Sequence, residues 1–168
     1  DKNLPEKPWA ACGHDNKRPH NIINSLYLQA SELEELVDER FERYEKIKQT
    51  EQRAVEYYTE DAELTLVAFG ASARVALAAV KQAREKGQKV GLIKPITLWP
   101  FPEKVLKKVA KTTDKFLVVE MNKGQMIDDV KLAIDCSRAV HFFGRTGGVI
   151  PQPEEISAQI DRILGGAE

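Results

Sequence analysis

From residue 64 onward the chain repeats one unit: a short, nearly continuous apolar run, a break, then a charged segment with apolar residues at helical spacing. "LTLVAF" (Leu64–Phe69) closes at Gly70, and "ARVALAAVKQAREK" follows with Ser72 placed to cap it and Gly87 to end it. "KVGLI" runs into "KPITLWPFP", and Pro102 stands at the start of "EKVLKKVAK", where a missing N–H costs nothing. "KFLVVE" (Lys115–Glu120) precedes a helix around "QMIDDVKLAI". "AVHFF" (Ala139–Phe143) precedes the turn "GRTGG" and the segment "PEEISAQIDRIL", whose Ile156, Ile160, Ile163 and Leu164 share one helical face. Apolar runs without alternation are what strands covered on both faces require. Strands alternating with helices imply a mostly parallel sheet, because parallel neighbours need helical crossovers of one hand. The expected fold is therefore α/β: a three-layer sandwich with helices on both faces of the sheet, occupying residues 61–168. No internal repeat or low-complexity tract interrupts the pattern.

The first sixty residues read differently. Pro5, Pro8, Gly13 and Pro19 punctuate residues 1–30, and Asp15 and Asn16 add turn chemistry, so a linker or wrapping arm is expected there. Residues 31–60 are expected to form a long amphipathic helix. Ser31 and Glu34 give a capping-box spacing, and Leu33, Leu36, Val37, Phe41, Tyr44, Ile47, Ala54, Val55 and Tyr58 make an apolar stripe. Glu39 with Arg43 and Glu42 with Lys46 are spaced to pair along it.

Bulk properties narrow the function. A length of 168 residues suits one domain with an appendage and can bury a core without disulfides or metal. A formal net charge of -1 gives no reason to expect a nucleic-acid partner. The two cysteines, Cys12 and Cys136, are too few for a disulfide framework, so a reducing cytoplasm is expected. No apolar run approaches the roughly 18 residues of a membrane helix, and the polar start "DKNLPEKPW" is no signal peptide. A first residue of Asp1 rather than Met suggests a piece of something longer.

In open α/β sheets ligands sit beyond the carboxyl ends of the strands. Four segments fall there. Gly70-Ala71-Ser72 offers backbone N–H groups at a helix start, although simple capping explains it too, and G-x-G-x-x-G and a Walker lysine are missing. "PITLWPFP" sets Trp99 and Phe101 among prolines, as an apolar lid or interface or as a rigid connection. "EMNKGQM" puts Glu120 at a strand end, with Asn122, Lys123, Gly124 and Gln125 in a loop. A lone carboxylate is no acid/base pair, so this is either an ordinary βα loop or a polar contact surface. "GRTGGVIPQP" is a loose phosphate cradle, where Arg145 could meet an anion, or a plain turn. Cys12, His14 and His20 fit no standard zinc spacing and lack a fourth ligand. His141 lies within a strand and reads as a core or edge histidine. No nucleophile–base constellation can be assembled, so no catalytic or metal-ligating residue is expected.

Four stretches carry a resemblance: Trp9–Leu28 "WAACGHDNKRPHNIINSLYL", Leu66–Pro102 "LVAFGASARVALAAVKQAREKGQKVGLIKPITLWPFP", Val118–Ile134 "VVEMNKGQMIDDVKLAI" and Phe142–Ile156 "FFGRTGGVIPQPEEI". Together they cover most of the chain. They resemble the α-type subunit of the 2-oxoacid:ferredoxin oxidoreductases, and the first resembles the branched-chain (2-oxoisovalerate) members. The resemblance implies a transketolase-C-terminal-like domain, whose sheet carries one antiparallel edge strand. It implies a parent enzyme that decarboxylates a 2-oxoacid oxidatively to acyl-coenzyme A, with ferredoxin as acceptor. Thiamine diphosphate, Mg2+ and iron–sulfur clusters are expected in the parent complex and none within this chain, since two cysteines cannot ligate a four-iron cluster. The expected partners are the thiamine-binding and iron–sulfur subunits, with ferredoxin and coenzyme A at the level of the complex. The contact surface is expected at Gly70, Ala71, Ser72, Thr97, Trp99, Pro100, Glu120, Asn122, Gly124, Gln125 and Arg145. Two other readings stand beside it: a stand-alone flavodoxin-like nucleotide or coenzyme module, and an interaction protein working through the long helix.

Overall fold

The computed structural model describes residues 3–7, 9–10 and 13–166. It divides into two compact units, Asp1–Phe41 and Glu42–Glu168.

In the first unit the described residues before position 30 form no helix or strand. Asp15 and Asn16 both have positive φ, in a turn where Lys17 N–H reaches the His14 carbonyl. Ile22, Ile23 and Leu28 are almost fully exposed. Helix α1 (Ala30–Thr50) begins here and has no buried residue. It starts one residue before Ser31, which therefore lies inside the first turn rather than capping it.

The second unit is a five-stranded sheet between two helical layers. Its elements are the carboxyl-terminal part of α1, β1 (Ala54–Tyr57), β2 (Leu64–Val67), α2 (Gly70–Glu85), β3 (Val90–Pro95), α3 (Glu103–Val109), β4 (Lys115–Glu120), α4 (Met126–Ala133), β5 (Ala139–Gly144) and α5 (Pro153–Leu164). The strand order is β1-β3-β2-β4-β5. β3, β2, β4 and β5 are parallel, and β1 pairs antiparallel with β3. The expectation of a three-layer sandwich with a mostly parallel sheet holds, and the antiparallel edge strand implied by the resemblance is present.

The expected helix over 31–60 is too long. It stops at Thr50, and Ala54–Tyr57 is an edge strand. The apolar positions Ala54, Val55 and Tyr58 fit a helical stripe, but the backbone gains more by pairing with β3 than by prolonging an exposed helix. Along α1 the ion pair formed is Lys48 to Glu45 at 2.7 Å, three residues apart.

Two cores follow from the layers. Leu64, Leu66, Leu92, Leu117 and Val119 point to the α2–α5 face, where Ala76, Val80, Ile156 and Ile160 meet them. Val67, Ile93, Phe116 and Val118 point to the α3–α4 face, against Leu106, Met126 and Val130. Between the layers Thr65 Oγ1 and Thr113 Oγ1 are 2.8 Å apart, and the Thr113 hydroxyl donates to the Ala62 carbonyl, so these buried hydroxyls are satisfied.

Because β3 lies between β1 and β2, the chain from β1 to β2 must cross β3 at its start. The crossing falls on Gly91. A Cβ there would stand 2.7 Å from the Tyr58 carbonyl oxygen and 3.2 Å from Thr59 Cα. Arg84 from α2 clasps the crossing. Its guanidinium donates to the Tyr58 and Val90 carbonyls, both at 2.7 Å, and to both oxygens of Asp61 at 2.8 and 3.0 Å.

Candidate functional site

The register fixes one edge of the sheet. Val67 is level with Ile93 and Val118, and Val118 is level with Phe142. The segments leaving β2, β3, β4 and β5 therefore emerge together at the carboxyl edge. The chain steps from β2 outward to β3 and then back across to β4, so the topological switch lies at the β2 end. The candidate contact residues all come to this edge or just below it.

Glu120 organises the middle of the edge and is itself 1% exposed. Its carboxylate accepts the backbone N–H groups of Met126 (2.9 Å), Gln125 (3.2 Å) and Ile127 (3.2 Å) and the Asn122 side-chain amide (3.1 Å). The three backbone groups are orphan donors at the start of α4, which has no cap from its own N-terminal residue. The cap comes from the preceding strand, and the anion sits where the helix dipole favours it. Asn122 Oδ1 in turn accepts Gly124 N–H at 2.7 Å. Glu120 is thus corrected from a surface contact to a buried scaffold. Asn122 and Gly124 are half-buried, and Lys123 and Gln125 are exposed. The scaffold reaches Asp129, whose carboxyl is pushed up by partial burial and then by the charges of Asp128 and Glu120.

Ser72 is also corrected. The N-cap of α2 is Phe69, with no side-chain cap, and Ser72 lies inside the first turn with 4% exposure. Gly70 and Ala71 are exposed. The serine cannot cap because Gly70 turns the chain into the helix two residues earlier, with φ of +58°.

Beyond β3, Thr97 is tied back to the body: its hydroxyl accepts Arg53 N–H at 3.0 Å, and its N–H reaches the Arg53 carbonyl at 3.2 Å. Pro100 is buried, which removes it from the contact surface, whereas Trp99 is 54% exposed. The Trp99 ring meets Tyr44 edge-on, centroids 5.3 Å apart. An open cleft of about 490 Å³ lies alongside, lined by Gln49, Gln52, Leu98, Trp99 and Lys104 among others. Lys104, one of the lining residues, donates to the Gln49 carbonyl at 2.9 Å.

Beyond β5, Arg145 N–H reaches the Glu120 carbonyl at 3.1 Å, and its guanidinium lies 3.4 Å from Glu155 at the start of α5. Glu155 also accepts Gln152 N–H at 2.9 Å, so the arginine's partner is an intramolecular capping carboxylate.

The residues chosen from the sequence were a mixture of polar, small and aromatic types, Trp99 among them, and the structure adds further exposed apolar side chains to this edge. Ile96, Leu98, Trp99, Met121, Val149 and Ile150 all stand on it as exposed large side chains. Ile96, Leu98 and Trp99 follow the buried strand β3 and Met121 follows the buried strand β4 within a few residues, whereas Val149 and Ile150 come after the turn that leaves the half-buried edge strand β5. For Ile96, Leu98 and Met121 that position is the sequence signal that could have found them, since a strand running on into more large apolar residues leaves them at the sheet's end.

The remaining expectations concern metal and acid–base chemistry. His14 and His20 face each other, Nε2 to Nδ1 at 3.3 Å, and Cys12 lies outside the described residues. Among the described residues no group of three or more His, Cys, Asp or Glu could hold a metal ion. Cys136 is free and exposed. His141 lies on the edge strand β5, half-buried, and its Nε2 is sealed without a partner. Burial, then Lys115 and Arg162, holds this imidazole below its ordinary value. No helix among the described residues is long and apolar enough to cross a membrane.

Comparison with known proteins agrees with this architecture. Residues 62–156 match the family described as pyruvate:ferredoxin oxidoreductase core domain II. The ketoisovalerate oxidoreductase subunit VorB of Methanothermobacter marburgensis is 42% identical over 164 residues, 98% of this chain and 46% of that protein. The 2-oxoglutarate synthase subunit KorA of the same organism is 40% identical over 108 residues, 64% of this chain and 28% of that protein. The chain thus spans about half the length, or less, of the curated relatives it matches. Among solved structures, 2-oxoglutarate:ferredoxin oxidoreductase from Magnetococcus marinus matches with a TM-score of 0.66 at 20% identity, over 81% of this chain and 24% of that one. A split-gene transketolase matches with a TM-score of 0.56 at 18% identity, over 67% of this chain and 41% of that one, so the fold is shared with transketolase-like domains. A profile match over more than half the chain, on the sheet and helices just described, places this protein in the pyruvate:ferredoxin oxidoreductase core domain II family.

Proposed function

We propose that this chain is the core domain II part of a 2-oxoacid:ferredoxin oxidoreductase subunit of the branched-chain type, acting on 2-oxoisovalerate, and that its work is assembly. The supporting observation is the apolar carboxyl edge. Ile96 and Trp99 are each about half exposed on the segment after β3, which Thr97 ties to the body, and Ile150 is about half exposed beyond β5. Exposed apolar side chains of this kind are what a permanent protein contact buries. The 42% identity to a ketoisovalerate oxidoreductase subunit over nearly the whole chain supports the substrate class.

In this reading the other subunits supply thiamine diphosphate, Mg2+ and the iron–sulfur clusters, and ferredoxin and coenzyme A meet the complex elsewhere, in the cytoplasm. The residues here do not suit those groups. A four-iron cluster needs four thiolates where this chain has two cysteines, and the described residues hold no carboxylate cluster for Mg2+. The isolated chain is accordingly inactive.

The test is co-purification. The chain should be captured by the remaining subunits of the enzyme, and Trp99→Asp with Ile150→Asp should release it without changing its own melting temperature. Undiminished capture of the double variant sinks the assembly reading.

A further inference from the structure

We propose that the outer edge of β5 takes up an extended acidic segment of a partner protein as a further strand of the sheet. This contact lies at the side of the sheet and does not rest on the assembly reading of the carboxyl edge.

The first observation is an open backbone. β5 ends the sheet and pairs with β4 alone. Arg145 N–H reaches the Glu120 carbonyl, so the odd-numbered positions of β5 turn their backbone groups to β4. Those of Val140, Phe142 and Gly144 point away from the sheet and make no hydrogen bond among the described residues. A row of such groups is a template for another strand, and folds that must stay single blunt it with short edges, proline or charge. β5 has none of these devices: it is six residues long, "AVHFFG", without proline, lysine or carboxylate. The opposite edge does have them. β1 is four residues long and carries Glu56, whose carboxylate accepts Lys108 Nζ at 2.7 Å and the Thr59 hydroxyl at 2.9 Å.

The second observation is independent of the backbone. Among the described residues, the sealed side-chain polar atoms without a hydrogen-bond partner are His141 Nε2 and Arg145 Nε. Both belong to this strand and its exit. Both lie on the α5 side, where Arg145 meets Glu155 and the charge of Arg162 bears on His141. Most buried polar atoms find partners within a completed fold. Two orphans beside one open strand mark surroundings that this chain leaves incomplete.

Charge selects the occupant. From Arg138 to Pro153 the sequence holds Arg138, His141 and Arg145 and no Asp or Glu. Lys115 adds a further positive charge close enough to bear on His141. Glu155 is already engaged by Arg145 and by Gln152 N–H. A strand bearing carboxylates complements this flank, and a basic strand is repelled by it. A second copy of the same edge would set like charges against each other, so the occupant is a different, acidic segment.

The experiment uses a short fluorescent peptide that alternates valine with glutamate, and a lysine-for-glutamate counterpart of the same length at matched ionic strength. The acidic peptide should bind saturably and at least roughly tenfold tighter than the basic one. In its complex, amide hydrogen exchange should slow at Val140, Phe142 and Gly144 and stay unchanged at His141 and Phe143, which already face β4. That alternation separates an added strand from charge adhering to a surface. Val140→Pro removes one outward N–H and leaves the ladder to β4 in place, so it should weaken binding roughly tenfold or more. Arg162→Glu, at an exposed position, should erase the preference for the acidic peptide without unfolding the chain. No saturable binding, equal binding of the two peptides, protection without alternation, undiminished binding by folded Val140→Pro, or a preference unmoved by Arg162→Glu would each overturn the proposal.

Discussion

Glu120 shows how a polar residue can be central and yet unavailable. Its two oxygens carry four N–H donors at 1% exposure. Removing it leaves the start of α4 unsatisfied inside the fold. Glu120→Ala should therefore cost about 3 kcal/mol in urea unfolding, the range for buried polar groups that lose a charged partner. A loss under 1 kcal/mol would show that water replaces the carboxylate. His141 works in the opposite sense. Folding depresses its pKa below 6.5, chiefly by burial, so the unfolded chain binds the proton first. Its contribution to stability is complete above pH 6.5 and is lost as pH falls through the lower folded value. The melting temperature should thus fall between about pH 7 and pH 5.5, before ordinary carboxylates titrate, and His141→Gln should flatten that slope.

At the scale of elements, the β1–β2 crossing is held by one glycine and one arginine. Gly91→Ala drives a Cβ against the Tyr58 carbonyl, a backbone atom with little room to yield, and about 2–3 kcal/mol of destabilisation is expected. Arg84→Lys keeps the charge but cannot serve two carbonyls and a carboxylate at once. It should cost about 2 kcal/mol, through the carbonyl bonds at 2.7 Å. The Arg84 hydrogen bond holds Asp61 below the usual carboxylate range, but that group is exposed and screened, so Asp61→Asn should shift stability little by comparison. Hydrogen exchange at Tyr58–Ala62 is the direct readout. Protection there should drop in Arg84→Lys while the amides of β2 and β4 stay protected.

At the largest scale, the two-core sandwich of the second unit carries exposed apolar side chains at its carboxyl edge, so changes there should separate folding from assembly. Trp99→Asp with Ile150→Asp removes no fully buried side chain and should leave the unfolding free energy in urea within about 0.5 kcal/mol of the parent. The same pair should abolish capture by the other subunits, and unfolding by the substitutions would show instead that the edge belongs to the core.

The layers were legible from composition along the chain. Runs such as Leu64–Phe69 and Lys115–Glu120 can be buried on both faces only in a parallel sheet, and Ile156, Ile160 and Ile163 can face one way only as a helix. The fate of Ala54–Tyr57 was not legible, since helical and strand spacing coincide over four residues and an empty sheet edge decided between them. The roles of Glu120 and Ser72 were hidden for the same reason. A carboxylate at a strand end finds its donors only when the next helix folds back over it, and whether a serine caps depends on where the preceding glycine turns the chain. Periodicity is a local property and the sequence determines it alone. Hydrogen-bond satisfaction is a property of neighbours, and only the tertiary structure decides who they are.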